Sequence, residues 1–550
     1  MSASTFSVVI LLGTFARVVT SSADACASFG SRLSIPKTAL IAHEYHPNGT
    51  SIPLPGTAPS CGGPDLHATA TASICRLVLA TKTSPSSKLQ IEAWLPDEQN
   101  WNANLLFTGN GGIGGCIDYA TMQNGVAGLG RGGFAAFGTN AGHNGSVGHE
   151  LFLNRPEAIN DFGHRAVHVE AEVGKEIARQ YYDRTGKAAR KNYYAGCSTG
   201  GRQGFQNAQM HPQDFDGMLL GSPGVDWLHV VASKGILARR IGWPDLNSPA
   251  YVRPEQWGGI VEAQVKQFDA LDGVEDGIID EPTTHRFDPT ILACGTGVLN
   301  ASLCLTPQQV ESVRRAYEPI ASSSGEIVYP AFELGSRTDV FSENQENGTA
   351  RMGYTILQDF WRGAVYNDTD WTPESFSEAD MDFAVGINPG LVNSAEKDLS
   401  SFYQRGGKII SYHGRTDETV TSANSEQFFT GVQSALDLTL EDIHSFYRLF
   451  FLPGMHHCSG GLGAWSIGNA MKYPYDKALL DPKYNALAAL VEWVENDVPP
   501  ETLIGTKYKD DIVGGRILAQ RTHCPYPLVS KWDGGNDTKL ATSWECRMPL

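Results

Sequence analysis

The chain lacks several features, and each absence excludes a class of function. It has no excess of positive charge. Forty-two Lys and Arg stand against 60 Asp and Glu, a net charge of −18 over 550 residues. A phosphate backbone or an anionic membrane would be repelled by such a surface, which argues against nucleic-acid and membrane partners. No apolar stretch beyond the N-terminus approaches membrane-spanning length. None of the ten cysteines forms a Cys-x-x-Cys pair, so the usual signatures of zinc and dithiol redox sites are missing. Internal repeats and low-complexity tracts are absent, and the 59 glycines follow no three-residue period.

An apolar run of signal-peptide length is present at Phe6–Ala16. Small residues cluster between Ala16 and Ala25, so residues 1–25 are expected to be a leader cleaved somewhere in that interval. No Lys or Arg precedes the run, and a buried N-terminal strand is the alternative reading. An even number of cysteines agrees with export, as do six Asn-x-Ser/Thr sequons at Asn48, Asn144, Asn300, Asn347, Asn367 and Asn536. Together they describe a secreted, disulfide-bonded glycoprotein.

The length suits a core domain with a sizeable insertion. Leu89–Leu95, Asn104–Thr108, Lys191–Ala195 and Gly217–Leu220 read as strands, with helices predicted over Asp161–Thr185 and Arg202–Met210. This alternation predicts a mostly parallel sheet with helices on both faces, in a core of residues 26–223. From 224 to 405 the alternation stops. Loops rich in Asp, Gly, Asn and Ser carry many aromatics there (Trp227, Trp243, Trp257, Phe360, Trp361, Trp371), which marks an inserted domain. The pattern resumes over 406–550 with strands Lys408–Tyr412 and Phe446–Leu452 and a helix near Tyr484–Asn496.

Gly196-Cys197-Ser198-Thr199-Gly200 is the one G-x-S-x-G pentapeptide in the chain, and it falls between a predicted strand and a predicted helix. Such a turn is too sharp for a Cβ at the flanking positions, hence the glycines, and it presents Ser198 Oγ at the carboxyl end of the sheet. A serine hydroxyl needs a base held by an acid. Downstream, Asp417 follows strand Lys408–Tyr412 and His457 follows strand Phe446–Leu452, in the order Ser…Asp…His of a hydrolase sheet. His456 and His413 compete for the role of base. His457 is preferred because Cys458 adjoins it as Cys197 adjoins Ser198: if the two catalytic residues meet, the cysteines come within bonding reach. Closing a loop of 261 residues would stabilise the fold by at most about 5 kcal/mol in a chain-entropy account. One oxyanion donor is expected from the Thr199 N–H. The other is expected from Gly111 or Gly112, in the glycine-rich loop after strand Asn104–Thr108.

The segment from Asp269 to Asp280 carries four Asp in twelve residues, interspersed with Gly. Hard oxygen ligands in a flexible loop suit Ca²⁺, although the spacing is not that of an EF-hand. A solvated acidic turn is the alternative. Zinc is not expected, since the segment has no His or Cys.

Cys-Ser-Thr-Gly-Gly-Arg at 197–202, the Asp of His413-Gly-Arg-Thr-Asp417, and His457-Cys458 together resemble the tannase and feruloyl esterase family, nearest to its secreted fungal feruloyl esterases. The resemblance implies an α/β-hydrolase fold with residues 224–405 as a lid, a Ser198–Asp417–His457 triad, and a Cys197–Cys458 bridge beneath it. It further implies the pairs Cys294–Cys304, Cys524–Cys546, Cys26–Cys75 and Cys61–Cys116. It implies a structural Ca²⁺ deep in the lid, held by the side chains of Asp269, Asp272 and Asp276 and the carbonyls of Val274 and Ile278, with no organic cofactor. The implied substrates are feruloyl or p-coumaroyl esters of plant cell-wall polysaccharides, which an aromatic-rich lid could stack against. A tannase acting on galloyl esters is the nearest alternative. A serine carboxypeptidase lacks an identifiable carboxylate-binding cluster here, and a catalytically dead binding protein would ordinarily have lost the Ser or the His.

Overall fold

In the computed structural model the described residues are 22–130, 132–182, 186–281, 285–336, 345–346, 349–350, 354–469 and 480–549. The expected leader and the Asn347 sequon lie outside them, apart from the last few positions of the leader. Nine strands form one mixed sheet: β1 (Thr38–His46), β2 (Ile74–Lys82), β3 (Lys88–Pro96), β4 (Trp101–Thr108), β5 (Gly133–Thr139), β6 (Lys191–Cys197), β7 (Gly217–Gly221), β8 (Lys408–Gly414) and β9 (Tyr447–Leu452). Their spatial order is β1-β2-β3-β5-β4-β6-β7-β8-β9. From β5 to β9 neighbouring strands are parallel, and the three pairings on the other side are antiparallel. The expected mostly parallel sheet is therefore one part of a mixed one.

Strands β1, β2 and β5 are not among those expected from the sequence, and β5 carries the weakest signal of the three. β5 reads Gly-Phe-Ala-Ala-Phe-Gly-Thr, without a single Val or Ile, yet every residue in it is buried. Its pairing with β3 and β4 and its packing beneath a helix outweigh its low intrinsic strand preference. β1 is an edge strand with alternating exposure.

The helix expected over Asp161–Thr185 is resolved into three pieces. A short helix at Pro156–Asn160 runs through a π turn at Asp161–Arg165 into α1, Ala166–Tyr182. The wide turn leaves the carbonyls of Phe162 and Gly163 free to accept from the guanidinium of Arg202, which also donates to the carbonyl of Val392. Arg202 belongs to the helix after Ser198, α2 (Thr199–Met210). One buried cation thus joins that helix, the π turn and the chain returning from the insertion. Burial pulls its pKa down to about 9. A side chain at Gly163 would sit 1.8 Å from the carbonyl oxygen of Gly390.

Among the described residues of 224–405 the regular structure is mainly helical, beginning with α3 (Trp227–Arg240). Their apolar cluster contains Trp243, Trp257, Phe360 and Trp361 and continues into Phe152 and Phe162. Most of the segment's aromatics are therefore core. The last helix, α4 (Ala486–Asn496), packs against β7 and β8. Among the described residues no helix is long and apolar enough to cross a membrane.

Where α1 crosses the sheet, Gly174 faces two rings: a Cβ there would lie 2.5 Å from Phe107 and 3.0 Å from Phe137. Gly174→Ala is expected to destabilise the protein by about 1–3 kcal/mol through overpacking, measured by denaturant unfolding. The gain in helix propensity, about 1 kcal/mol, acts in the other direction, so an unchanged midpoint would mean that α1 can lift off the sheet.

Candidate active site

Ser198 stands between β6 and α2 with φ 62° and ψ −122°, a conformation that costs a non-glycine residue on the order of 1–3 kcal/mol. Its surroundings impose it. A Cβ at Gly196 would lie 2.7 Å from the backbone of Gly200, and one at Gly201 would lie 2.7 Å from the carbonyl oxygen of Gly221. The Ser198 N–H is bonded to that same oxygen at 2.9 Å. The turn is thus clamped between its own helix and the end of β7.

Asp417 lies just past β8 and is 1% exposed. Its Oδ1 accepts from the N–H groups of Thr419 and Val420, both at 2.8 Å. His457 Nδ1 lies 3.0 Å from Oδ1 and 2.8 Å from Oδ2. Burial would push the Asp417 pKa up, but the charge and hydrogen bond of His457 and the hydrogen bond from His413 outweigh it and hold the group well below the carboxylate range. Burial works against a charged His457 as well. The Asp417 charge and hydrogen bond, with the charge of Glu418, nonetheless raise it above the ordinary imidazole value.

The two competing histidines are accounted for. His456 points toward Glu418, its Nδ1 3.8 Å from Oε2. His413 is fully buried behind Asp417. Its Nε2 is 2.8 Å from the carbonyl of Val420 and 3.2 Å from Asp417 Oδ2, and its Nδ1 is 2.7 Å from Ser425 Oγ. A carbonyl can only accept, so Nε2 carries a proton. His413 therefore acts on the acid from behind. No motif marks it, apart from its place four residues before Asp417.

Cys197 and Cys458 are joined, with their Cα atoms 6.0 Å apart. The other bonds are Cys26–Cys75, Cys61–Cys116, Cys294–Cys304 and Cys524–Cys546.

Ser198, Thr199, Gly112 and His457 face one cavity of about 250 Å3. Its other walls are Trp227, Val230 and Val231 of α3, Tyr354 and Ile356, and Thr419 and Val420 beside the acid. Of the two loop glycines, Gly112 lines this cavity and Gly111 does not. Gly112 has φ 58°, and its carbonyl accepts from Thr199 Oγ1 at 2.5 Å. Trp227 is the one tryptophan among these walls.

The acidic segment lies at a seam, not deep in the insertion. Ile278 comes within 3.0 Å of where a Cβ on Gly454 would stand, and Gly454 is in the loop that carries His457. Asp280 pairs with Arg521 and Glu281 with Lys531, both partners coming from the C-terminal hairpins. Asp269 accepts from the N–H groups of Asp276, Gly277 and Ile278 and so shapes the loop. Asp272 Oδ2 is buried without a hydrogen-bond partner, and burial with the Asp280 charge pushes this carboxyl up to about 8. Crowded carboxylates with an unpartnered buried oxygen fit a hard divalent cation. Among the described residues, the group of three His, Cys, Asp or Glu side chains with potential ligand atoms all within 4.8 Å of one another is not Asp269, Asp272 and Asp276 but His168, His211 and Asp214. Its imidazoles are stacked, however, 3.6 Å apart and 6° from parallel. Imidazole lone pairs lie in the ring plane, so rings so arranged do not converge on one ion.

The family model described as tannase and feruloyl esterase matches residues 75–547. A probable feruloyl esterase B-2 of Aspergillus oryzae is 35% identical over 521 residues, covering 95% of this chain and 95% of that protein. One of the same name from Neosartorya fischeri is 36% identical over 523 residues, again covering 95% of each. Among solved structures, feruloyl esterase B from Aspergillus oryzae superposes with a TM-score of 0.86 at 31% identity, over 96% of this chain and all of that one. The tannin acyl hydrolase of Aspergillus niger shares the fold, with a TM-score of 0.71 at 20% identity over 95% of each chain. The architecture is that of an α/β-hydrolase.

Because the Cys197–Cys458 bond closes a loop of 261 residues, the double variant Cys197→Ser/Cys458→Ser is expected to lose about 2–5 kcal/mol of stability, read from denaturant unfolding. A midpoint equal to wild type would show that the turn and the loop hold together without the bond.

Proposed function

We propose that this chain, which belongs to the tannase and feruloyl esterase family and is a carboxylic ester hydrolase, is a secreted serine esterase acting on hydroxycinnamoyl esters of plant cell-wall polysaccharides. The observation that carries the reading is the strained Ser198 turn, which opens onto the same apolar cavity as the His457–Asp417 pair. The aliphatic and aromatic wall of Trp227, Val230, Val231, Tyr354 and Ile356 suits a flat acyl group with a single phenol. The three hydroxyls of a gallate would need more polar partners. Secretion is supported by the five disulfide bonds and by the exposure of the sequon asparagines 48, 144, 300, 367 and 536.

In this reading Ser198 Oγ attacks the ester carbonyl while His457, oriented through Nδ1 by Asp417, takes the hydroxyl proton. The oxyanion forms against backbone N–H groups at Thr199 and in the Gly111–Gly112 loop, with Gly112 the better placed of the two. His457 then delivers its proton to the leaving alcohol, and water, deprotonated by the same imidazole, cleaves the acyl-serine. Asp417 remains ionised throughout, as its depressed pKa requires. Residues 224–405 act as a lid whose α3 supplies one wall of the acyl site. A structural Ca²⁺ would be held by the side chains of Asp269, Asp272 and Asp276 and the carbonyls of Val274 and Ile278. It would neutralise the carboxylates at the seam and take no part in the chemistry.

Two experiments test this. Hydrolysis of methyl ferulate and methyl p-coumarate, with methyl gallate left intact and all turnover lost in Ser198→Ala, is the expected result. A preference for gallate would move the protein to the tannases with the same machinery, and turnover that survives Ser198→Ala would remove the serine mechanism. Chelation of Ca²⁺ is expected to lower the melting temperature by roughly 5 °C, reversibly, with no such response in Asp272→Ala. A melting temperature indifferent to chelator would leave the segment an acidic turn.

A further inference from the structure

A buried cation stands close to the active site without a part in the catalytic scheme. Lys234 lies on α3, one turn beyond the cavity residues Val230 and Val231, and is fully buried. An ammonium without water is expensive unless something compensates it, and here the compensation points at the active site. The amine donates to the carbonyl of Thr419. It stands 4.2 Å from the ring centre of Phe332 and 5.7 Å from that of Tyr354, whose faces attract a cation. Thr419 and Val420 line the cavity, and their N–H groups are the two that fix Asp417. A side chain of the inserted segment therefore grips the turn that orients the acid.

We propose that Lys234 is a positioning residue that ties the inserted segment to the acid turn and sets the electrostatic surroundings of the Asp417–His457 pair. Asp417 and Glu418 favour the protonated form of the His457 imidazole and Lys234 opposes it. Burial pulls Lys234 itself down to about 7, against the influence of Asp417 and Glu418. His413 donates through Nε2 to the Val420 carbonyl in the same turn. The inference rests on the esterase reading for its kinetic consequence, and on the Thr419 contact together with the charge of Lys234 for its effect on His457.

Lys234→Met removes donor and charge, whereas Lys234→Gln keeps a donor and removes the charge. On whichever methyl ester the wild type turns over, Lys234→Met is expected to lower kcat about tenfold with KM little changed. His457 must be neutral to accept a proton, and loss of a neighbouring cation lets it stay protonated to higher pH. The acid limb of kcat/KM is therefore expected to move up by roughly half to one pH unit in both variants. Histidine NMR titration reads the same displacement of His457 without substrate, so it decides the matter even if no ester is cleaved. A purely structural lysine would lower the unfolding midpoint and leave the limb and the titration in place. A His457 titration unmoved in Lys234→Gln overturns the proposal, as does wild-type kcat in Lys234→Met.

Discussion

The absence of room for a Cβ around Ser198 governs much else in this molecule. Because Gly196, Gly200 and Gly201 let β6, α2 and the end of β7 meet at backbone contact, the chain reverses within a few residues and the serine is left in a backbone conformation it would not otherwise adopt. Such a strained turn persists only when its flanks are rigid. Two covalent and polar ties supply that rigidity: the Cys197–Cys458 bond on one side and the buried Arg202 guanidinium, shared among three carbonyls, on the other.

Asp417 is the second centre of organisation. It is buried, yet its oxygens accept from two backbone N–H groups and face two imidazoles. Saturating a buried carboxylate in this way keeps it ionised, and the ionised form confers basicity on His457. Two of the supporting groups are local, His413 at the end of β8 and Glu418 in the acid's own loop, and Lys234 comes from the insertion. The acid is thus the point at which the sheet and the inserted segment influence the same atoms.

The sequence discloses the parts of this arrangement that are local. A strand, a glycine-flanked serine and a helix are contiguous, so the turn around Ser198 can be read directly, and residues that follow strands β8 and β9 must fall on the same rim as Ser198. The strand β5 is not readable, because its Ala and Gly residues suit a helix or a loop as well and only its neighbours decide. The π turn is hidden for a similar reason: its cause is Arg202, some 40 residues on, seeking carbonyls. Lys234 carries no motif, and the motif that contains His413 does not disclose its role behind the acid. Aromatic content in the insertion is a blunt signal, because Trp243, Trp257 and Trp361 are spent on its own core while Trp227 and Tyr354 line the cavity. The acidic segment is legible as an oxygen-rich loop, but its position against the His457 loop and the C-terminal hairpins is not.

The covalent path between Cys197 and Cys458 encloses the whole of residues 224–405. The insertion is therefore threaded on a closed ring that also contains β7, β8 and β9. A peptide bond cut anywhere in that insertion would leave two fragments that cannot part: the piece bearing Ser198 and the piece bearing Asp417 and His457 would remain one molecule until a reductant opened the ring. A nick in the most elaborate segment of the fold therefore need not scatter the residues on which its chemistry depends.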